Sequence, residues 1–279
     1  MYILKSEALD VSVLHPVADR AQLGTRYCTG GYIFAVADAE HGDLMSGPTF
    51  PNSFNTFDGQ GIPDAFNLEP LTGVGSPRTT GVPVPTDGLA LILGIGTVDL
   101  TQNKVILWCE WGIEADGAMV QMTTHHSFRG YEVELQKTVT VMGRTVRSEV
   151  FIRNEGRPLG FRWFPHPFYP HPAGDELVKF NIPLRFPENE GFEMGIDGFI
   201  RRKGEDWQRG YYQALDHDAT AKLVAIQKHP KLGLVTATCS YVPNFFPIWG
   251  NANTFSWEPF FERTVAPGQS LTWWIDYDF

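Results

Sequence analysis

The run Tyr131–Val141, YEVELQKTVTV, alternates apolar and polar side chains. A period of two places each set on its own face of a strand, so the run predicts a half-buried strand and not an amphipathic helix. Met142-Gly143-Arg144 supplies a tight turn into TVRSEVFIRNEG, and the two runs together predict a meander hairpin. A sheet with one apolar face must cover it with another layer. The same pattern predicts strands at Asp10–Val17, Ala90–Leu100, Lys104–Ala115, Val120–Phe128, Lys179–Phe186, Ala221–Gln227, Leu232–Ser240, Asn253–Glu262 and Leu271–Asp278. Arg26–Asp38 reads as a strand pair or bulged strand around Gly30-Gly31, and the polar Ile196–Gly210 reads as a loop. Neither βαβ alternation nor a fixed-period repeat occurs. The expected fold is all-β, a large antiparallel β-sandwich of two packed sheets in one domain over residues 1–279.

Composition narrows the partners. The chain is 279 residues long, 43% hydrophobic and 19% charged, which is a globular composition. Its net charge of −10 argues against a nucleic-acid backbone or an anionic membrane as partner. The 20 Phe, 9 Tyr and 8 Trp suit a thick sheet-on-sheet core or a sugar-binding cleft. Cys28, Cys109 and Cys239 lie far apart with no CxxC, so no zinc site or disulfide framework is readable, and a reducing cytoplasm is the simplest compartment. MYILKSEALDVSVL does not read as a signal peptide, and no apolar run reaches membrane-spanning length. His41–Gly88 is a long stretch of turn residues carrying Phe50, Phe54, Phe57 and Phe66. Its aromatics predict an ordered excursion, and Gly42–Gly88 is expected to form one wall of a cleft.

Two stretches carry candidate chemistry. FRWFPHPFYPHP, Phe161–Pro172, sets His166 and His171 among aromatics and prolines. The prolines forbid helix and remove ladder donors, so the histidines are expected at a strand end, where an irregular backbone aims a side chain. A proline-rich edge with two satisfied histidines is the plainer reading. Two ligands of a metal centre is another, with His217, Asp216 or Asp218 completing it; no third and fourth ligand stands at a recognisable spacing, so no metal is expected. His125-His126 lies in a strand pattern and should point to opposite faces. Asp58-Gly59-Gln60-Gly61 reads only as a turn. In the second stretch, Glu258 sits in the apolar SWEPFF. It is either paired, with Arg263 or Arg162, or a general base whose pKa is raised by its aromatic setting.

Together these stretches resemble the aldose 1-epimerase (galactose mutarotase-like) superfamily over most of the chain. The resemblance is best from YEVELQKTVTVMGRTVRSEVFIRNEGRPLGFRWFPHPFYP to the end. An alternating strand, a short turn, a second strand, an N-x-G turn and a His-x-[FY]-[FY] stretch form the family's central signature. His166, in HPFY, stands in the place of the family's catalytic histidine, and Glu258, in SWEPF, in that of its catalytic glutamate. APGQSLTWWIDYDF resembles the closing turn and final strand. Asp216, in ALDHDA, falls near the substrate-hydroxyl ligand, with Asp218 as a competing alignment. Galactose mutarotases carry an early Asn-Arg pair and a second active-site histidine. Here Asn52 is followed by Ser53, and no histidine occurs between His41 and His125.

The resemblance implies a sugar cleft and interconversion of sugar anomers with no cofactor. Glu258 would take the proton of the anomeric hydroxyl and His166 would protonate the ring oxygen. The two groups are then expected about one sugar ring apart in one solvent-accessible pocket, each within hydrogen-bond reach of its oxygen. Asp216 would hold sugar hydroxyls, and Trp249, in FPIWGN, would pack on the ring. The hexose-6-phosphate epimerase branch binds phosphate through basic residues. Arg78 is the basic residue of the long loop, so the expected partner is a sugar or a sugar phosphate. A non-catalytic sugar-binding or sugar-sensing module on the same fold is the alternative.

Overall fold

The computed structural model describes residues 1–20, 26–47, 59–67, 87–102, 104–204, 206–218 and 220–279. Arg78, Phe50, Phe54, Phe57 and most of the Gly42–Gly88 segment lie outside the described residues. Among the described residues there is no helix, and hence none long and apolar enough to cross a membrane.

The first strands are β1 (Tyr2–Lys5), β2 (Leu9–Val13), β3 (Ile33–Asp38), β4 (Gly42–Asp43) and β5 (Asp64–Asn67). Next come β6 (Leu89–Ile92), β7 (Gly96–Asp99), β8 (Lys104–Trp108) and β9 (Gly112–Ala115). The long strands are β10 (Met119–Phe128), β11 (Tyr131–Met142) and β12 (Thr145–Asn154). Shorter ones follow: β13 (Leu159–Pro165), β14 (Tyr169–Pro170), β15 (Glu176–Phe180), β16 (Leu184–Arg185), β17 (Phe192–Met194) and β18 (Ile200–Arg202). Then come β19 (Tyr211–Ala214), β20 (Asp216–His217), β21 (Val224–His229) and β22 (Gly233–Cys239). The chain closes with β23 (Pro247–Gly250), β24 (Thr254–Trp257), β25 (Phe261–Val265) and β26 (Ser270–Asp278).

Every named strand pairing is antiparallel. One ten-stranded sheet runs β17-β18-β15-β21-β22-β26-β12-β11-β10-β9. The predicted hairpin is its centrepiece: β11 and β12 pair without a register shift from Val133↔Asn154 to Met142↔Thr145. The all-β sandwich is thus present. The two sheets expected from the sequence are instead one large sheet and several small ones, of which β1-β2-β3-β4, β25-β13-β5 and β14-β24-β23-β19 pack on its inner face. Prolines account for much of the fragmentation, because each removes a ladder donor.

Other expectations are corrected in the same way. Lys104–Ala115 is two strands in different sheets, broken at Cys109–Trp111. Ala90–Leu100 is a hairpin of β6 and β7, and Asn253–Glu262 breaks between β24 and β25 at Glu258–Phe260. Ile196–Gly210 contains β18. His125 and His126 do face opposite ways, exposed and buried respectively.

β13 defines the layering. Phe161 and Trp163 point into the main core, where Phe161 stacks on Trp273 of β26 with ring centroids 5.2 Å apart. Phe164 faces the other way, stacks on Phe260 at 4.4 Å, and joins Tyr27, Tyr32, Phe34 and Phe168 in a second apolar cluster. The three-stranded sheet is therefore covered on both faces, with the large sheet beneath and an aromatic cluster above.

Candidate active site

His166 follows the last residue of β13 and lies within the second cluster. Its backbone N–H leaves the ladder and donates to the carbonyl of Pro63 at 2.8 Å. Two residues on, Phe168 N–H donates to Gly61 at 2.8 Å, so the Pro-laced segment is satisfied by the Gly61–Pro63 turn instead of by a strand. The imidazole stacks on Phe168 with centroids 4.4 Å apart, and Tyr27 and Trp249 meet it edge-on at 6.0 and 5.7 Å. Glu258 is delivered by the end of β24, where Pro259 stops the ladder; its N–H donates to Pro247 at 3.0 Å. Nε2 of His166 and Oε1 of Glu258 are 3.2 Å apart. The residues are 3% and 6% exposed.

This contact overturns the expected spacing of one sugar ring. Leaving either polar group unpaired among aromatic rings is costly, and the two partner each other. Burial also reorders their proton affinities. The Glu258 carboxyl is pushed up to about 7 by burial, against a smaller opposing pull from the Arg26 charge. Burial holds the His166 imidazole well below its usual 6.5, and the Arg26 charge adds to that. The carboxyl therefore keeps a proton that the imidazole does not. A protonated Glu258 donates to a bare Nε2; an ionised Glu258 accepts from an Nε2–H. Nδ1 of His166 has no hydrogen-bond partner on another described residue, so no described carboxylate orients the ring from behind. The bland pairings for Glu258 are occupied elsewhere: Arg162 pairs with Glu262 at 2.5 Å, and Arg263 donates to Asn244 at 2.8 Å.

Solved structures of similar fold superpose over nearly the whole chain. A galactose mutarotase related enzyme from Lactobacillus acidophilus superposes with a TM-score of 0.65 at 12% identity, over 99% of this chain and 96% of its own. A galactose mutarotase-like protein from Lactobacillus casei gives 0.58 at 13%, over 100% and 99%. This chain has the galactose mutarotase-like fold. A Synechocystis sp. PCC 6803 protein superposes on it with a TM-score of 0.59 at 14% identity, over 99% and 94%. No family model and no curated protein matches the sequence.

In this galactose mutarotase-like chain the other candidates are scattered. Trp249 is half-buried on β23 and borders the pair. Asp216 is exposed on β20, in the two-stranded sheet with β16, and Asp218 pairs with Arg185 at 2.9 Å. His171 is turned away: it stacks on Phe255 and its Nε2 lies 2.6 Å from the Asn251 carbonyl. Among the described residues no three His, Cys, Asp or Glu side chains cluster as metal ligands. The structure also adds residues that sequence reasoning missed. Arg26 lies with its guanidinium carbon 5.3 Å from the Tyr27 ring centroid, and its charge reaches both His166 and Glu258. Its only sequence signal is a charge beside the aromatic stretch YCTGGYIF, and it lies in no named strand. Gly59 was read only as part of a turn. A Cβ there would lie 2.7 Å from the Phe168 ring and 2.9 Å from that of Tyr27, so only glycine lets this backbone pass under the aromatic wall.

Proposed function

We propose that the chain is one carbohydrate-binding domain that interconverts the anomers of a sugar or sugar phosphate by opening and reclosing the ring. The observation that carries this reading is the buried His166–Glu258 contact with its inverted proton affinities. Glu258 is the base: a carboxylate whose pKa is raised to about 7 takes a hydroxyl proton near neutral pH far better than one at the ordinary value. His166, neutral with its lowered pKa, holds the ring oxygen by a hydrogen bond from Nε2–H, and the proton passes over as the bond from the anomeric carbon to that oxygen breaks and the oxygen becomes strongly basic; it returns to Nε2 on reclosure. Rotation about the first carbon–carbon bond of the open sugar and the reverse transfers complete the exchange. The two sugar oxygens take over the hydrogen bonds that the side chains make to each other, so each buried polar group stays partnered. Trp249 offers an aromatic face to the ring's C–H surface. Asp216 is the proposed hydroxyl ligand and Arg78 the proposed phosphate ligand.

One alternative uses the same fold, a module that binds sugar without turning it over. Anomer exchange measured by polarimetry on α-glucose, α-galactose and their 6-phosphates decides between them. Glu258→Gln keeps the shape and removes the base. It should lower turnover by about 10²–10⁴-fold while calorimetric sugar affinity stays within a few-fold, as should His166→Asn. A wild type that binds a sugar and never accelerates its anomer exchange makes the chain a binding module.

A further inference from the structure

The inward positions of β11 are Val133, Leu135, Lys137, Val139 and Val141, all buried. Lys137 breaks that series and is 0% exposed. Nothing in the proposed chemistry uses it. Its ammonium pairs with the carboxylate of Asp64, which is 7% exposed, and lies 5.6 Å from the Trp163 ring centroid. The pair therefore crosses from the large sheet to the three-stranded sheet, on the face of β13 opposite His166. Asp64 pairs in register with Pro165, the residue before His166. Its own carbonyl accepts the N–H of Cys28 at 2.8 Å, next to Tyr27 and Arg26. The preceding carbonyl, that of Pro63, accepts the N–H of His166.

One peptide segment thus holds both backbone stretches of the site, and the ion pair ties that segment to the large sheet. Stability alone does not call for this device, because apolar residues of similar volume replace a buried ion pair with little loss and often with gain. What an ion pair adds is a fixed position: the charges must meet, whereas Val or Leu packs equally well after a small slide. His166 gains from such a fixed position, since among the described residues no side chain orients its ring through Nδ1.

We infer that Lys137 and Asp64 are positioning residues, which pin the Pro63–Asp64 segment to the large sheet and thereby set the approach of His166 to Glu258. The inference rests on the reading of His166 and Glu258 as the site, but its test does not need turnover. Lys137→Met combined with Asp64→Leu removes both charges together. The expected result is a folded protein in which the Glu258 carboxyl, followed by carbon-13 NMR, titrates at least half a unit away from its wild-type midpoint. The His166 amide should also exchange at least tenfold faster than in wild type, relative to amides of β12. A folded double variant with the Glu258 titration and the His166 exchange both unchanged overturns the inference, whatever the activity assay shows. Hydrogen exchange on the wild type gives a second measurement that does not depend on the variant folding. The amides of His166 and Cys28 should exchange within about threefold of the protection of Lys137, as one unit; His166 opening well before β11 overturns the inference.

Discussion

The β11–β12 hairpin and the β13–His166 segment are neighbours in sequence and opposite in construction. In the hairpin, ladder pairing runs from end to end, and the inward face of β11 is apolar except at Lys137. In β13, the ladder to β25 covers Leu159–Trp163, the ladder to β5 covers Arg162–Pro165, and both stop before His166. The difference shows how a sheet protein presents a reactive group. A residue inside a ladder has its side chain aimed by the pleat. A residue just past it can be aimed elsewhere, provided a turn such as Gly61–Pro63 accepts its backbone N–H groups.

The largest expected effect tests the buried ion pair that ties the hairpin to the strand beside β13. Lys137→Met alone leaves Asp64 buried without its partner and should cost about 3–5 kcal/mol in denaturant unfolding. Thr138→Ala, one residue on and facing outward, should stay within about 0.5 kcal/mol. Equal losses would mean that the inward face of β11 has no special member.

The second effect is pH-dependent and belongs to the irregular region. A Glu258 carboxyl raised from 4.5 to about 7 binds its proton more tightly in the folded state, so its contribution to stability is full below pH 4.5 and falls as pH rises to 7. His166 has the opposite sign: its lowered pKa makes stability rise with pH up to its unfolded value of 6.5. In the difference between Glu258→Gln and wild type the histidine contribution is common to both. The variant should therefore gain on wild type between pH 4.5 and 7, by up to about 3 kcal/mol. A pH-independent difference in chemical denaturation would mean that the carboxyl is not perturbed.

The third effect is steric. Gly59→Ala pushes a methyl into the rings of Phe168 and Tyr27 and should cost about 1–3 kcal/mol, read as a lowered denaturation midpoint. The smallest is Arg185→Ala. It removes an ion pair whose side chains are 74% and 82% exposed, and should change the unfolding free energy by less than about 1 kcal/mol, less still in high salt.

How far the sequence was legible follows the same division. Alternation in YEVELQKTVTV depends only on residues within one strand, so the hairpin, its turn and its faces were readable. The breaks were not. Cys109–Trp111 and Glu258–Phe260 interrupt runs that look continuous, because a chain that changes sheets keeps its apolar pattern while turning. His166 and Glu258 stood out as ionisable residues in apolar surroundings. Their 3.2 Å contact was unreadable, since it depends on how the ends of β13 and β24 meet across different sheets. Lys137 shares the parity of Val133, Leu135, Val139 and Val141, so the alternation places it inward; what the sequence does not show is the Asp64 carboxylate that lets a lysine stay there.

One feature of the large sheet bears on how the molecule is made. β26 lies between β12 and β22, and it is the last of the three to leave the ribosome. Until it docks, β9–β12 form one ribbon and the group from β15 to β22 another, each ending in an unpaired edge along β12 or β22. Elongation at roughly 5–20 residues per second keeps those edges bare for seconds in every round of synthesis. A nascent chain stalled before Ser270 carries two sticky strands in place of one continuous sheet, and an edge strand of a second nascent chain fits there as well as β26 does. Crowded translation, such as overexpression on polysomes, should therefore yield chains paired across these edges and lost to aggregation, while finished chains, with the gap filled from within, keep only the outer edges along β17 and β9.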